Sequence, residues 1–99
     1  MVETVGSNTE SGHERITKTL KMLARSGVCD VISSLKPGPR GFSQLMFETK
    51  LNPGVLSRHL KALTEHAVVE KHSNSYGLTD KGRKLVEILE EISKTIKNE

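Results

Sequence analysis

Ninety-nine residues, 34% of them hydrophobic, bound the chain to one domain with a small core and leave no room for a separate ligand-sensing domain. The net charge of +3 is unevenly spread: between Arg25 and Lys84 ten Lys and Arg stand against five Asp and Glu, an excess that suits a polyanionic partner, with mild basicity for solubility as the bland alternative. No apolar run approaches the ~18 residues of a membrane span, MVETVGSNTESG lacks the basic opening and apolar core of a signal peptide, and the lone Cys29 excludes an internal disulfide framework, so the expected setting is the cytoplasm, with no membrane partner.

Residues 1–12 are polar and aperiodic and read as a disordered tail. From His13 the positions Ile16, Leu20 and Leu23 recur at helical spacing, and Ser26-Gly27 reads as a stop or a kink. A second helix, residues 28–36, puts Val28, Val31, Ile32 and Leu35 on one face, and Pro37-Gly38-Pro39 ends it. Cys29 on that helix reads as a small core hydrophobe rather than a redox switch. Gly41-Phe42 reads as a minimal strand with Phe42 entering the core. Ser43 then caps a short helix over residues 44–50, with Leu45, Met46 and Leu51 facing inward.

Residues 51–69 organise the rest. Asn52 reads as an N-cap and Pro53 as the first helical residue, where its missing N–H costs nothing. Leu56, Leu60, Leu63 and Ala67 form one stripe, while Ser57, Arg58, Lys61 and Glu65 lie away from it. Taken alone, this is as well read as an ordinary solvated amphipathic helix. His59 sits beside the stripe and is either packed or at an exposed edge. Two short β-prone runs follow, residues 68–72 and 76–78, around the polar turn Ser73-Asn74-Ser75. Thr79 reads as the N-cap of a last helix that reaches about residue 97 and carries Leu85, Val86, Ile88, Leu89, Ile92 and Ile96. Such a helix is ~27 Å long, more than this small domain can cover. A second subunit is the economical cover, which makes Ile16, Leu20, Leu23, Leu89, Ile92 and Ile96 the expected homodimer interface. A monomer with this helix folded back on its own N-terminal helix is the alternative.

Helix, hairpin, helix is the order of a winged helix. LSRHLKALTEHAVVEKH followed by YGLTDKGRKL resembles the recognition helix, wing and final-helix entry of small prokaryotic and archaeal winged-helix regulators of the ArsR, MarR and HxlR families. The resemblance covers roughly residues 17–89. The opening KTLKMLARSGVCDVISSLKPGPRGFSQL is similar to that of HxlR-type regulators, although Val28-Cys29 stands where a tryptophan is common. The fold so implied is mainly α with a small β-hairpin, a winged helix-turn-helix with extra N- and C-terminal helices. Its expected parts are the tail (1–12), the winged-helix domain (13–79) and a dimerisation helix (80–99).

In a helix-turn-helix the second helix enters the major groove while the first crosses the DNA backbone. The residues expected at DNA are therefore Asn52, Gly54, Ser57, Arg58 and Lys61, with Ser43 and Gln44 near phosphate. Arg58 is the best candidate for a bidentate guanine contact. Lys71, His72 and Asn74 of the short wing would position the protein without reading sequence. The expected function is a homodimeric, sequence-specific regulator of transcription bound to double-stranded DNA. Two rivals stay open: an architectural DNA-binding protein with little sequence preference, and a winged helix used for protein docking. No Gly-rich phosphate loop, nucleophile elbow or catalytic carboxylate pair is present, so no enzyme and no cofactor are expected. His59, His66 and His72 match no common zinc spacing, and the cysteine pair of many ArsR-type metal sensors is missing, so no metal is expected either. The operator, any small-molecule effector and the choice between repression and activation are not legible in the sequence.

Overall fold

The computed structural model describes residues 12–97. The expected tail over residues 1–12 falls outside them except for Gly12, which already belongs to the first helix. In chain order the elements are α1 (Gly12–Leu23), α2 (Val28–Leu35), β1 (Arg40–Gly41), α3 (Phe42–Thr49), α4 (Pro53–Glu65), β2 (Val69–His72), β3 (Ser75–Leu78) and α5 (Asp80–Lys97). The strands form one antiparallel sheet in the order β1-β3-β2. The fold is a winged helix-turn-helix, mainly helical with a small β-hairpin.

The core is built around α2. Val28, Val31, Ile32 and Leu35 are buried on its inner face, against Met22 and Leu23 of α1, Leu45 of α3, and Leu56, Leu60 and Leu63 of α4. Val68, Val69 and Leu78 close the core from the hairpin, and Val86 from α5. The first half of α5 therefore packs into the same core as the winged-helix elements. Cys29 is exposed, contrary to the expectation of a core hydrophobe. It follows Val28 by one helical step of about 100°, which turns it off the buried face. Its Sγ donates to the Leu23 carbonyl at 3.6 Å.

The element ends decide how α4 is presented. Asn52 is the N-cap of α4: its Oδ1 accepts from the Val55 N–H at 2.9 Å, and Pro53 opens the helix. Lys50, in the left-handed region at φ 63°, ends α3 and makes the turn between the two helices. At its other end, α4 stops in a Schellman turn. The Val68 N–H reaches the Leu63 carbonyl at 2.9 Å, and the Ala67 N–H reaches that of Thr64 at 3.0 Å. Ala67 sits at the left-handed position, φ 61°. It does not extend the apolar stripe as expected, because this turn lets Leu63 and Val68 be buried together.

Two further expectations shift by a residue. The short strand is Arg40–Gly41, paired with Tyr76 and Ser75, and Phe42 opens α3. Gly41, not Ser43, is therefore the N-cap residue of α3, and no side chain caps that end. In the hairpin, His72 pairs with Ser75, so only Ser73 and Asn74 form the turn, Ser73 at φ 55°. Thr79 caps α5 as its position predicts: Oγ1 accepts from the Gly82 N–H at 2.9 Å and donates to the Ala67 carbonyl at 2.6 Å. Helix α5 is thereby tied to the turn that ends α4.

Candidate nucleic-acid interface

The outward face of α4 carries Ser57, Arg58 and Lys61, all exposed, and none has a partner in an ion pair among the described residues. Gly54 is exposed in the first turn, and nothing but the Asn52 side chain lies near the place a β-carbon would take. Asn52 is exposed as well, with its oxygen committed to the cap and its amide NH2 free to donate outward. Opposite these residues, Leu56, Leu60 and Leu63 hold the helix on the core. The polar face is thus presented by the packing of the apolar one. His59, 6% exposed, belongs to the packed side: its Nε2 lies 2.8 Å from the Ser26 carbonyl, which pins α4 to the turn between α1 and α2.

Helix α3 brings Ser43 and Gln44 to the surface in its first turn. Gln44 Nε2 donates to Glu48 Oε2 at 3.4 Å, and Arg40 Nε lies 3.4 Å from the same carboxylate oxygen. The uncapped start of α3 and the wing enclose a cleft lined by Ser43, Gln44, Lys71, Asn74 and Tyr76. A second cleft, between α4 and the wing, is lined by Ser57, Lys61, Thr64, Lys71 and Tyr76. The two clefts bring six of the ten residues expected at DNA together, Ser43, Gln44, Lys71 and Asn74 in one and Ser57 and Lys61, with Lys71 again, in the other, while Asn52, Gly54 and Arg58 are exposed at the cap and along α4.

His72 does not join them. Side chains alternate along a strand, so Lys71 shares the face of Val69, while His72 and Glu70 share the other. His72 Nε2 lies 3.2 Å from Glu70 Oε2, in a cleft lined also by Lys36 and Arg83. Tyr76 is the residue that sequence reasoning missed at this surface. The signal was the hairpin register, which sets it directly across from Lys71.

Away from this surface, α1 and α5 line an apolar groove of about 420 Å³ with Ile16, Leu20, Leu85, Ile88, Leu89 and Ile92. Ile16 is 60% exposed, Leu20 53%, Ile92 46% and Ile96 62%. Leu23 is buried in the protomer's own core and Leu89 is half-buried against it, so these two have less surface to offer a partner. Among the described residues no group of three or more His, Cys, Asp or Glu converges as a metal site. No helix among them is long and apolar enough to cross a membrane.

A comparison with curated proteins found no match. Among solved structures, the quinone-bound YodB of B. subtilis superposes with a TM-score of 0.80 at 22% identity, over 86% of this chain and 98% of that chain. The transcriptional repressor BigR of Xylella fastidiosa gives 0.69 at 26% identity, over 81% and 87%. A homodimeric winged helix-turn-helix DNA-binding domain from Mycobacterium bovis gives 0.72 at 17% identity, over 89% and 91%. Residues 25–97 match the family model described as winged helix-turn-helix, which takes in everything from the turn before α2 to the end of α5. The chain belongs to the winged helix-turn-helix family.

Proposed function

We propose that this chain is a transcriptional regulator of the cytoplasm that reads double-stranded DNA as a two-fold dimer, with α4 of each protomer in successive major grooves of a pseudo-palindromic site. The observation that carries the reading is the outer face of α4. Ser57, Arg58 and Lys61 are exposed there together, and α4 itself exposes no aromatic or large aliphatic residue beside them. A helix built for protein docking places such anchors at the centre of its contact. A guanidinium, an ammonium and a hydroxyl in one row suit base edges and phosphates.

The dimer is supported by the exposed apolar flank of α1 and α5, with Ile16, Leu20, Ile92 and Ile96 in the water of an isolated protomer. The Mycobacterium bovis domain that shares the fold is itself a homodimer. Pairing about a two-fold axis sets two copies of α4 about one helical turn of DNA apart, or a multiple of it, so that protein symmetry meets sequence symmetry. Regulation then follows from occupancy of a promoter.

Fluorescence anisotropy tests the reading, with a duplex from the promoter region of the protein's own gene, a scrambled duplex and two salt concentrations. The expected result is a strong preference for the promoter that Arg58→Ala erases, a loss of about 1–3 kcal/mol for each guanine contact. Equal, salt-governed binding to both duplexes would instead indicate an architectural protein. Absence of binding at low salt would transfer the reading to a docking module.

A further inference from the structure

Tyr76 occupies an unusual place at the DNA-facing surface. In the sheet it stands across from Lys71 on one side and Arg40 on the other, so the three side chains form one row on the face shared with Val69 and Leu78. That row lies at the outer margin of the core. The Tyr76 ring packs against the core's edge, and the Lys71 ammonium lies 5.5 Å from the ring's centroid. Tyr76 also lines both clefts, facing Ser43 and Gln44 of α3 in one and Ser57 and Lys61 of α4 in the other. It is therefore where both helices of the helix-turn-helix and the wing converge. Its hydroxyl makes no hydrogen bond to any described residue and is not among the buried polar atoms.

We propose that Tyr76 is a DNA-backbone contact, its hydroxyl donating to a non-bridging phosphate oxygen of the strand that borders the groove entered by α4. Lys71, held over the ring, neutralises the same phosphate. The inference rests on the DNA reading above and adds the contact that sets the depth of the wing against α4. With α4 in the major groove, the wall between α4 and the wing lies beside the sugar-phosphate backbone, whose oxygens accept hydrogen bonds and carry no base identity. A phenol is suited to this position because it donates one directed hydrogen bond from a ring fixed by packing and displaces no counterion of its own. The ammonium supplies the charge.

The two roles separate experimentally. Tyr76→Phe keeps the ring, its packing and the Lys71 contact while removing only the hydroxyl, so the thermal midpoint should not move. It should weaken binding about tenfold per bound protomer, on the own-promoter duplex and on a scrambled duplex alike, with the dependence on log salt unchanged. Lys71→Gln should weaken both complexes and lower the salt slope by about one per protomer. Scanning the own-promoter duplex with ethylated phosphates should find one phosphate per half-site whose ethylation weakens the wild type more than it weakens Tyr76→Phe, which keeps only the Lys71 interaction there to lose. If the wild type binds both duplexes and Tyr76→Phe binds as tightly, the contact is overturned and the DNA reading stands. A loss confined to the own-promoter duplex would mean a base contact and would overturn the phosphate assignment. A wild type that binds neither duplex removes both.

Discussion

Gly82 and Val68 touch backbone to backbone: a β-carbon on Gly82 would fall 2.1 Å from the Val68 carbonyl oxygen and 3.1 Å from its carbon. Helix α5 can therefore approach the end of α4 only because residue 82 has no side chain. The approach is secured by Thr79, whose N–H also donates to the Val68 carbonyl at 3.0 Å. Gly82→Ala should destabilise the protein by about 2–3 kcal/mol, since backbone rather than a flexible side-chain end must move. Urea unfolding measures it, and an unchanged midpoint would contradict the close approach.

Ala67 offers the opposite case. It adopts φ 61° at the left-handed position of the Schellman turn, where the β-carbon of an L-residue is crowded. Ala67→Gly should raise stability by about 0.5–1 kcal/mol, as relief of that crowding exceeds the added flexibility of the unfolded chain. A lower thermal midpoint for the variant would count against the turn as described.

These two positions show where the sequence was readable and where it was not. Asn52-Pro53, Pro37-Gly38-Pro39 and Thr79 mark their element ends by local chemistry, and the structure uses each as its residue type demands. Ala67 carries no such mark. A glycine would have announced the end of α4, and without it the apolar spacing runs on for one more step than the helix does. Gly41 displaces Ser43 from the cap because pairing with β3 keeps Arg40–Gly41 extended up to the start of α3, a long-range effect no local pattern contains. Cys29 shows that a helix can be buried while a residue on it is not. At the surface proposed to face DNA, the α4 residues follow from helical periodicity. The opposed faces of Lys71 and His72, and the place of Tyr76, need the hairpin register.

Asn52 holds two roles that a single substitution can part. Its oxygen caps α4, and its amide NH2 faces outward at the end of α4 expected nearest the bases. Asn52→Ala should cost about 1 kcal/mol of stability through the lost cap. Asn52→Asp keeps an acceptor for the Val55 N–H and adds a negative charge that suits the helix N-terminus. It should therefore fold as well as the wild type or better, while binding DNA more weakly, because it loses the donor and repels phosphate. Thermal melts paired with anisotropy give both readouts, and undiminished DNA affinity in Asn52→Asp would take Asn52 off the contact surface.

The apolar flank makes a prediction about assembly. Leu20 and Ile92 are about half exposed and line the α1–α5 groove without belonging to the buried core. Leu20→Glu and Ile92→Glu should therefore leave the protomer folded and turn a dimer into a monomer, whereas a charge at half-buried Leu89 would disturb the fold as well. Sedimentation at micromolar concentration should show the wild type as a dimer and both variants as monomers with native circular dichroism. A wild type that sediments as a monomer would end the two-fold reading and leave the groove to another occupant.

The pair Lys36 and Glu90 predicts a pH dependence. Lys36, just past the end of α2, hydrogen-bonds the Glu90 carboxylate on α5, and this hydrogen bond and the charge behind it hold the Glu90 carboxyl below its ordinary value. A carboxyl whose value is lower in the folded than in the unfolded chain favours folding when it is ionised in both. Its contribution is therefore present above the ordinary glutamate range and is lost as pH falls through the lowered value. Because the pair is exposed to solvent, the effect is modest and shrinks with salt. Glu90→Gln removes the titrating group, so the variant should lose less stability than the wild type between neutral and acid pH, and the two curves should draw together at the acid end. Thermal midpoints measured across that range at low and high salt decide it. Parallel curves at low salt would show that the tie between α2 and α5 contributes nothing in solution.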